Sequence, residues 1–135
     1  LLLNTLNSKS IMQKSEMQIM CLILLLFLKG EFMKVFISGP MRGYEDNNRA
    51  AFMEAENLLV GLGLSVFNPA WLYFSDEWSN SDIMAIDITA LSKCDAIYML
   101  PGWTRSAGSM AEYKFAEATN KTILYKEEVI ASGKC

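Results

Sequence analysis

Apolar and polar positions fall into two rhythms along most of this chain: short apolar runs, and longer stretches with a helical repeat. Lys34–Ser38 (KVFIS) is a β-branched and aromatic run that stops at Gly39-Pro40, which predicts a buried strand entering a turn. Over residues 47–62 the apolar side chains Phe52, Ala55, Leu59 and Leu62 recur at i, i+3, i+7 and i+10, one face of an amphipathic helix. Asp46, Asn47 or Asn48 can cap its start, and Gly61 and Gly63 mark its end. Residues 64–68 (LSVFN) predict a second strand, closed by Pro69. A loop carrying Trp71, Tyr73, Phe74 and Trp78 then leads to a helix expected over 81–93. Residues 95–100 (DAIYML) predict a third strand, broken by Pro101-Gly102, followed by a helix over 109–120 and a fourth strand at Thr122–Tyr125. Residues 127–130 offer at most a weak fifth element.

Strand and helix in steady alternation imply parallel pairing through right-handed crossovers, and hence an open three-layer α/β sheet of four to five strands, Rossmann-like in outline. Ligands of such sheets bind beyond the carboxyl ends of the strands. Loops 39–47, 69–80 and 101–109 gather there, so the search for chemistry narrows to them.

Composition changes this picture in four places. A length of 135 residues favours one domain. A net charge of −3 argues against general nucleic-acid binding, which needs clustered Lys and Arg, but permits a small phosphorylated ligand held by one Arg and a few backbone N–H groups. The absence of any His removes Ser-His-Asp and Cys-His nucleophiles and His-containing zinc sites, leaving acid–base work to carboxylates, Tyr, Lys or Cys. Cys21, Cys94 and Cys135 are odd in number and widely separated, which suggests a reducing compartment without a disulfide framework. Cys94 ends an apolar helical stripe and reads as a small buried hydrophobe.

Residues 1–32 read differently from the rest. The chain does not open on Met, and the apolar run over 19–28 is too short for a helix crossing a bilayer, which takes about 20 residues. Lys9 and Lys14 precede it as in a signal peptide, but Lys29-Gly30-Glu31 follows where small residues would mark cleavage. Lys29-Gly30-Glu31-Phe32-Met33 can be encoded by AAAGGAGAATTTATG, a purine-rich ribosome-binding sequence before a start codon. The expectation is therefore that residues 1–32 are a translated upstream extension and that Met33 opens a cytoplasmic protein. Membrane attachment is the alternative if the segment is genuine.

Four features could carry chemistry. The loop Gly39-Pro40-Met41-Arg42-Gly43-Tyr44 is neither a P-loop nor a dinucleotide fingerprint. Its glycines permit close approach to a ligand and Arg42 can pair with a phosphate, yet an ordinary strand-to-helix turn with a solvated Arg fits equally. Asp87 falls inside the arc formed by Ile83, Ile86, Ala90 and Cys94, so a carboxylate is directed toward the core. It is either a site acid or a structural Asp bonded to loop N–H groups. Ser109-x-x-Glu112 matches a capping box, but it opens a helix at the carboxyl edge of the sheet, where a carboxylate can attack an electrophilic sugar carbon. Trp71, Tyr73, Phe74, Trp78 and Trp103 can stack a nucleobase or pack an interface.

Taken in order, these fragments resemble the nucleoside 2-deoxyribosyltransferase-like group, which includes deoxynucleoside-monophosphate N-glycosidases. The matching stretches are Ile37-Ser38-Gly39-Pro40-Met41-Arg42-Gly43, the segment from Asp87 through Leu91 to Cys94-Asp95-Ala96, Leu100-Pro101-Gly102-Trp103, and Ser106-x-Gly108-Ser109-x-x-Glu112. The resemblance spans residues 33–126 and leaves 127–135 as a tail. It implies a flavodoxin-like fold, with Glu112 attacking the anomeric carbon to form a covalent glycosyl-enzyme. Asp87 would orient the sugar hydroxyls or assist protonation of the leaving base, and Tyr44 would contact Glu112 or the sugar. Arg42, Ser106 and Gly108, with Gly39, Met41, Gly43 and Ser109 around them, match positions that hold substrate and its 5′-phosphate. The implied ligand is a small nucleoside or nucleotide, not a nucleic-acid polymer. Neither a metal nor another cofactor is implied, and a homodimer or larger assembly is. Two alternatives stay beside this reading: a nucleotide-sensing module that keeps the cleft without turnover, and a different hydrolase on the same fold.

Overall fold

The computed structural model describes residues 32–132, together with the isolated positions Cys21 and Leu24. The expectations for the upstream extension and its apolar run therefore lie outside the described residues, as does Cys135. Four strands alternate with helices: β1 (Lys34–Ser38), α1 (Arg49–Gly61), β2 (Ser65–Phe67), α2 (Asn80–Ser92), β3 (Ala96–Met99), α3 (Ala107–Ala118), β4 (Thr122–Tyr125) and α4 (Lys126–Ser132). All strand pairs are parallel, in the order β2-β1-β3-β4. Val35 pairs with Ala96 and Ser38 with Met99, so β1 and β3 end level with each other. This is an open α/β sheet of the flavodoxin-like kind, as the alternation implies.

The short central strands are apolar on both faces because helices cover both. Val35, Ile37, Tyr98 and Leu124 point to one side and pack with Phe52, Ala55 and Leu59 of α1 and Val129 of α4. Phe36, Ile97 and Met99 point to the other side, against Leu91 at the end of α2, Cys94 and Ala116 of α3. Side chains two apart on a strand share a face, so Ser38 belongs with Phe36 on the α2/α3 side. Cys94 is buried, and burial pushes its thiol pKa up, in keeping with a packed hydrophobe. Among the described residues no helix is long and apolar enough to cross a membrane.

Four local expectations need correcting. The first helix begins at Arg49 because Asp46, Asn47 and Asn48 all adopt left-handed backbone, a conformation that Asp and Asn tolerate better than most residues. Asn48 occupies the capping position without capping: its Nδ2 donates to the Pro40 carbonyl at 2.8 Å and so ties α1 to the loop after β1. The second strand stops at Phe67 because the Asn68 side chain accepts from Ala70 N–H and caps a 3₁₀ turn, Pro69–Trp71. The weak fifth element is the helix α4, so the sheet has four strands.

The fourth correction concerns the cap of α3. The residue capping this helix is Ser106, whose hydroxyl accepts the Ser109 N–H at 3.3 Å. The helix thus starts at Ala107, and Glu112 sits in its second turn, too far along to reach back in a capping box. A capping box does occur in the molecule, at α2, where Ser79 and Asp82 bond reciprocally.

Candidate functional site

From β1 the chain crosses to β2 on one side, and from β3 to β4 on the other. A crevice opens at such a switch point, above the carboxyl ends of the two central strands. Here it is a cleft of about 790 Å³, built from the loops after β1, β2 and β3 and the first turns of α2 and α3. That size suits a small-molecule ligand.

The crevice rests on a close backbone approach. A side chain at Gly39 would place its Cβ 2.7 Å from the Cβ of Leu100, so only glycine lets the loop leave β1 at this level. The Leu100 N–H in turn donates to the Ser38 carbonyl at 2.8 Å, extending the β1–β3 pairing one step beyond the strands.

Two carboxylates line the cleft. Asp87, on α2, is only 9% exposed, and its Oδ1 is fully buried without a hydrogen-bond partner among the described residues. Burial pushes its pKa up to about 6. Glu112, on α3, is 6% exposed, and its Oε2 accepts a hydrogen bond from the Ser38 hydroxyl at the end of β1. Burial pushes Glu112 up to about 8; the Ser38 bond opposes this, and the charge of Asp87 adds to it. Two carboxyls that interact in this way titrate as a pair.

The structure brings most of the sequence-selected residues to this cleft. Gly39, Met41, Arg42, Tyr44, Ser106, Gly108 and Ser109 line it with Asp87 and Glu112. Gly43 does not; it supplies a positive φ of 80° to the turn after β1. Arg42 donates through Nη2 to Asn80 Oδ1 at the start of α2, linking two walls of the crevice. The Tyr44 hydroxyl lies over Gly102, 2.9 Å from where a Cβ would stand. Among the described residues the one hydrogen-bond donor to Glu112 is Ser38, not Tyr44. Of the aromatic residues in question, Tyr73 and Phe74 line the cleft. Trp71 instead bonds Glu56 through Nε1 at 2.7 Å, and Trp103 stacks on Tyr113 with centroids 4.6 Å apart.

Sequence reasoning assigned no role to Ser38, Asn80 or Arg105, all of which line the cleft. For Ser38 a signal existed: a polar residue ending a buried strand, on the same face as Phe36, must find a partner on the helices beneath. For Arg105 and Asn80 no pattern separates them from solvated surface residues.

No curated protein matches the sequence. Among solved structures, a chain described as 2-desoxiribosyltransferase from Leishmania mexicana shares the fold, with a TM-score of 0.55 and 22% sequence identity. The match covers 69% of this chain and 63% of that one, so this chain spans less than two thirds of its length. The likeness joins the two proteins at the level of architecture. A family model, described as a domain of unknown function (DUF4406), matches residues 33–125, and the chain belongs to that family.

Proposed function

We propose that the protein cleaves or transfers at the N-glycosidic bond of a nucleoside, deoxynucleoside or nucleoside 5′-monophosphate. The observation that carries this reading is the pairing of two buried carboxylates, Glu112 and Asp87, in one cleft at the switch point of the sheet. The fold shared with a 2-desoxiribosyltransferase supports it.

In the first step a Glu112 carboxylate oxygen forms a bond to the anomeric carbon. The carbon–nitrogen bond breaks, its electron pair stays on the base, and the base nitrogen takes up a proton. In the second step water or a second base attacks the same carbon and releases Glu112 as carboxylate. The transition states carry positive charge on the sugar, which a nearby carboxylate stabilises, the same logic that operates in retaining O-glycosidases. Asp87, pushed up less than Glu112, is the first of the pair to ionise; it accepts from the sugar hydroxyls or, when protonated, donates to the leaving base. Arg42, Ser106, Gly108 and Arg105 line the cleft, and in this reading they receive a 5′-phosphate. Tyr73 and Phe74 offer faces to a base. Assembly as a homodimer or larger oligomer and a cytoplasmic location belong to the same reading, the 91% exposed ring of Tyr73 at the cleft providing apolar surface for a neighbour.

One observation favours a second reading, binding without turnover. Burial pushes the Glu112 pKa up to about 8, and the protonated carboxyl that this favours is a poor nucleophile. Incubation with a panel of deoxynucleosides and their monophosphates, with and without a second free base, separates the readings. Exchange of bases marks a transferase and base release alone a glycosidase. Binding without release across the panel at pH 7 and pH 9 overturns the enzymatic reading.

A further inference from the structure

We propose that Ser38 is the positioning residue for Glu112, holding Oε2 from the end of β1 so that Oε1 is the oxygen presented to the cleft. The inference deepens the glycosidic reading and rests on it. It begins with where the two residues stand. Ser38 closes a strand of the central sheet, 1% exposed, with its backbone fixed by pairing to Met99 and by the bond from Leu100 N–H. Glu112 approaches from α3, seventy-four residues away in sequence, and reaches no cap of its own helix. A glutamate has three side-chain torsions, and without a partner its carboxyl would sample several positions in the cleft. The hydroxyl of a short, buried serine on a rigid strand removes that freedom at one oxygen and leaves the other unbonded among the described residues.

The bond does more than orient. A hydroxyl donating to a carboxylate favours its ionised form. Ser38 is the one group that acts in this direction on Glu112, against burial and against Asp87. Of the groups that shift Glu112, Ser38 from β1 and Asp87 from α2 pull its protonation in opposite senses. Tyr44, another hydroxyl lining the cleft, donates no hydrogen bond to Glu112 among the described residues.

The test is a pH titration of the Glu112 carboxyl by carbon-13 NMR on side-chain-labelled protein, in wild type, Ser38→Ala and Ser38→Thr, with Glu112→Gln to assign the signal. Ser38→Ala removes one oxygen from a buried strand end and should fold; the spectrum itself reports whether it does. The expected midpoint rises by about one pH unit in Ser38→Ala and returns in Ser38→Thr. In base-release assays kcat at pH 7 falls about tenfold in Ser38→Ala, KM stays within about twofold, and the rate limb moves to higher pH by the same interval. A midpoint unchanged in folded Ser38→Ala overturns the assignment, even where base release is intact. A midpoint that moves with Ser38 while no substrate in the panel loses its base upholds the Ser38 bond and overturns the glycosidic reading instead.

Discussion

At the start of α2, Asp82 accepts the backbone N–H and the hydroxyl of Ser79 at 2.9 and 2.6 Å, in the open, and those bonds hold its pKa below the usual carboxylate range. At the start of α3 the same residue types separate. Ser106 caps the helix with no acid to answer it, and Glu112 turns inward, where burial carries its pKa up to about 8. One helix spends its carboxylate on its own end; the other keeps it off the cap and points it into a cleft beside Asp87. A carboxylate that stabilises its fold and one that is held in an unfavourable environment differ here in burial and in which serine donates to them. Strongly raised pKa values of this kind gather where a protein does chemistry.

The sharpest way to break this contrast is Glu112→Gln. If Glu112 is the nucleophile, base release should fall by about 10³-fold or more, since an amide cannot replace the attacking carboxylate. The same substitution should stabilise the fold at alkaline pH. A carboxyl with a raised folded-state pKa holds its proton longer in the native state, so stability falls as pH climbs from the ordinary carboxyl range through about 8. Urea unfolding at pH 5 and pH 9 should show wild type losing stability with pH and Glu112→Gln losing markedly less.

Asp87→Asn comes next in size. Base release should drop about 10²-fold if Asp87 handles a proton or a sugar hydroxyl. Because the Asp87 charge raises Glu112, its removal should also shift the rising limb of the rate profile to lower pH. A limb that stays in place would show the two carboxyls to be uncoupled. Ser79→Ala should cost about 1 kcal/mol in chemical denaturation and leave base release unchanged, because its bonds serve only the end of α2. The smallest effect belongs to Asp82→Asn. A lowered folded-state pKa gives stability above the ordinary carboxyl range that disappears as pH falls through the folded value. The variant should therefore lose less stability than wild type between pH 5 and pH 2, read as a flatter profile of melting temperature against pH.

Much of this was legible before any coordinates. A buried KVFIS run before Gly-Pro can hardly be anything but a central strand, and Asp87 among Ile83, Ile86 and Ala90 announces a carboxylate turned toward the interior. What could not be read was settled by tertiary contacts. Ser106 and Ser109 stand three apart, and either can cap a helix; the positive φ of Gly102 and the 3₁₀ turn Trp103–Arg105 deliver Ser106 to the capping position. Helical periodicity runs through residues 47 and 48 without registering that Asn tolerates a left-handed backbone. The Ser38–Glu112 bond joins residues with no local relation at all, and only strand parity hints at it.

The close approach of Gly39 to Leu100 has one more consequence. Because no room remains between the ends of β1 and β3, nothing bound in the crevice can sink between the strands. For a ligand of the crevice the contact would act as a depth stop, limiting how far below the rim an atom could travel. An alanine there would drive its Cβ into Leu100, and the ends of β1 and β3 would have to part to admit it.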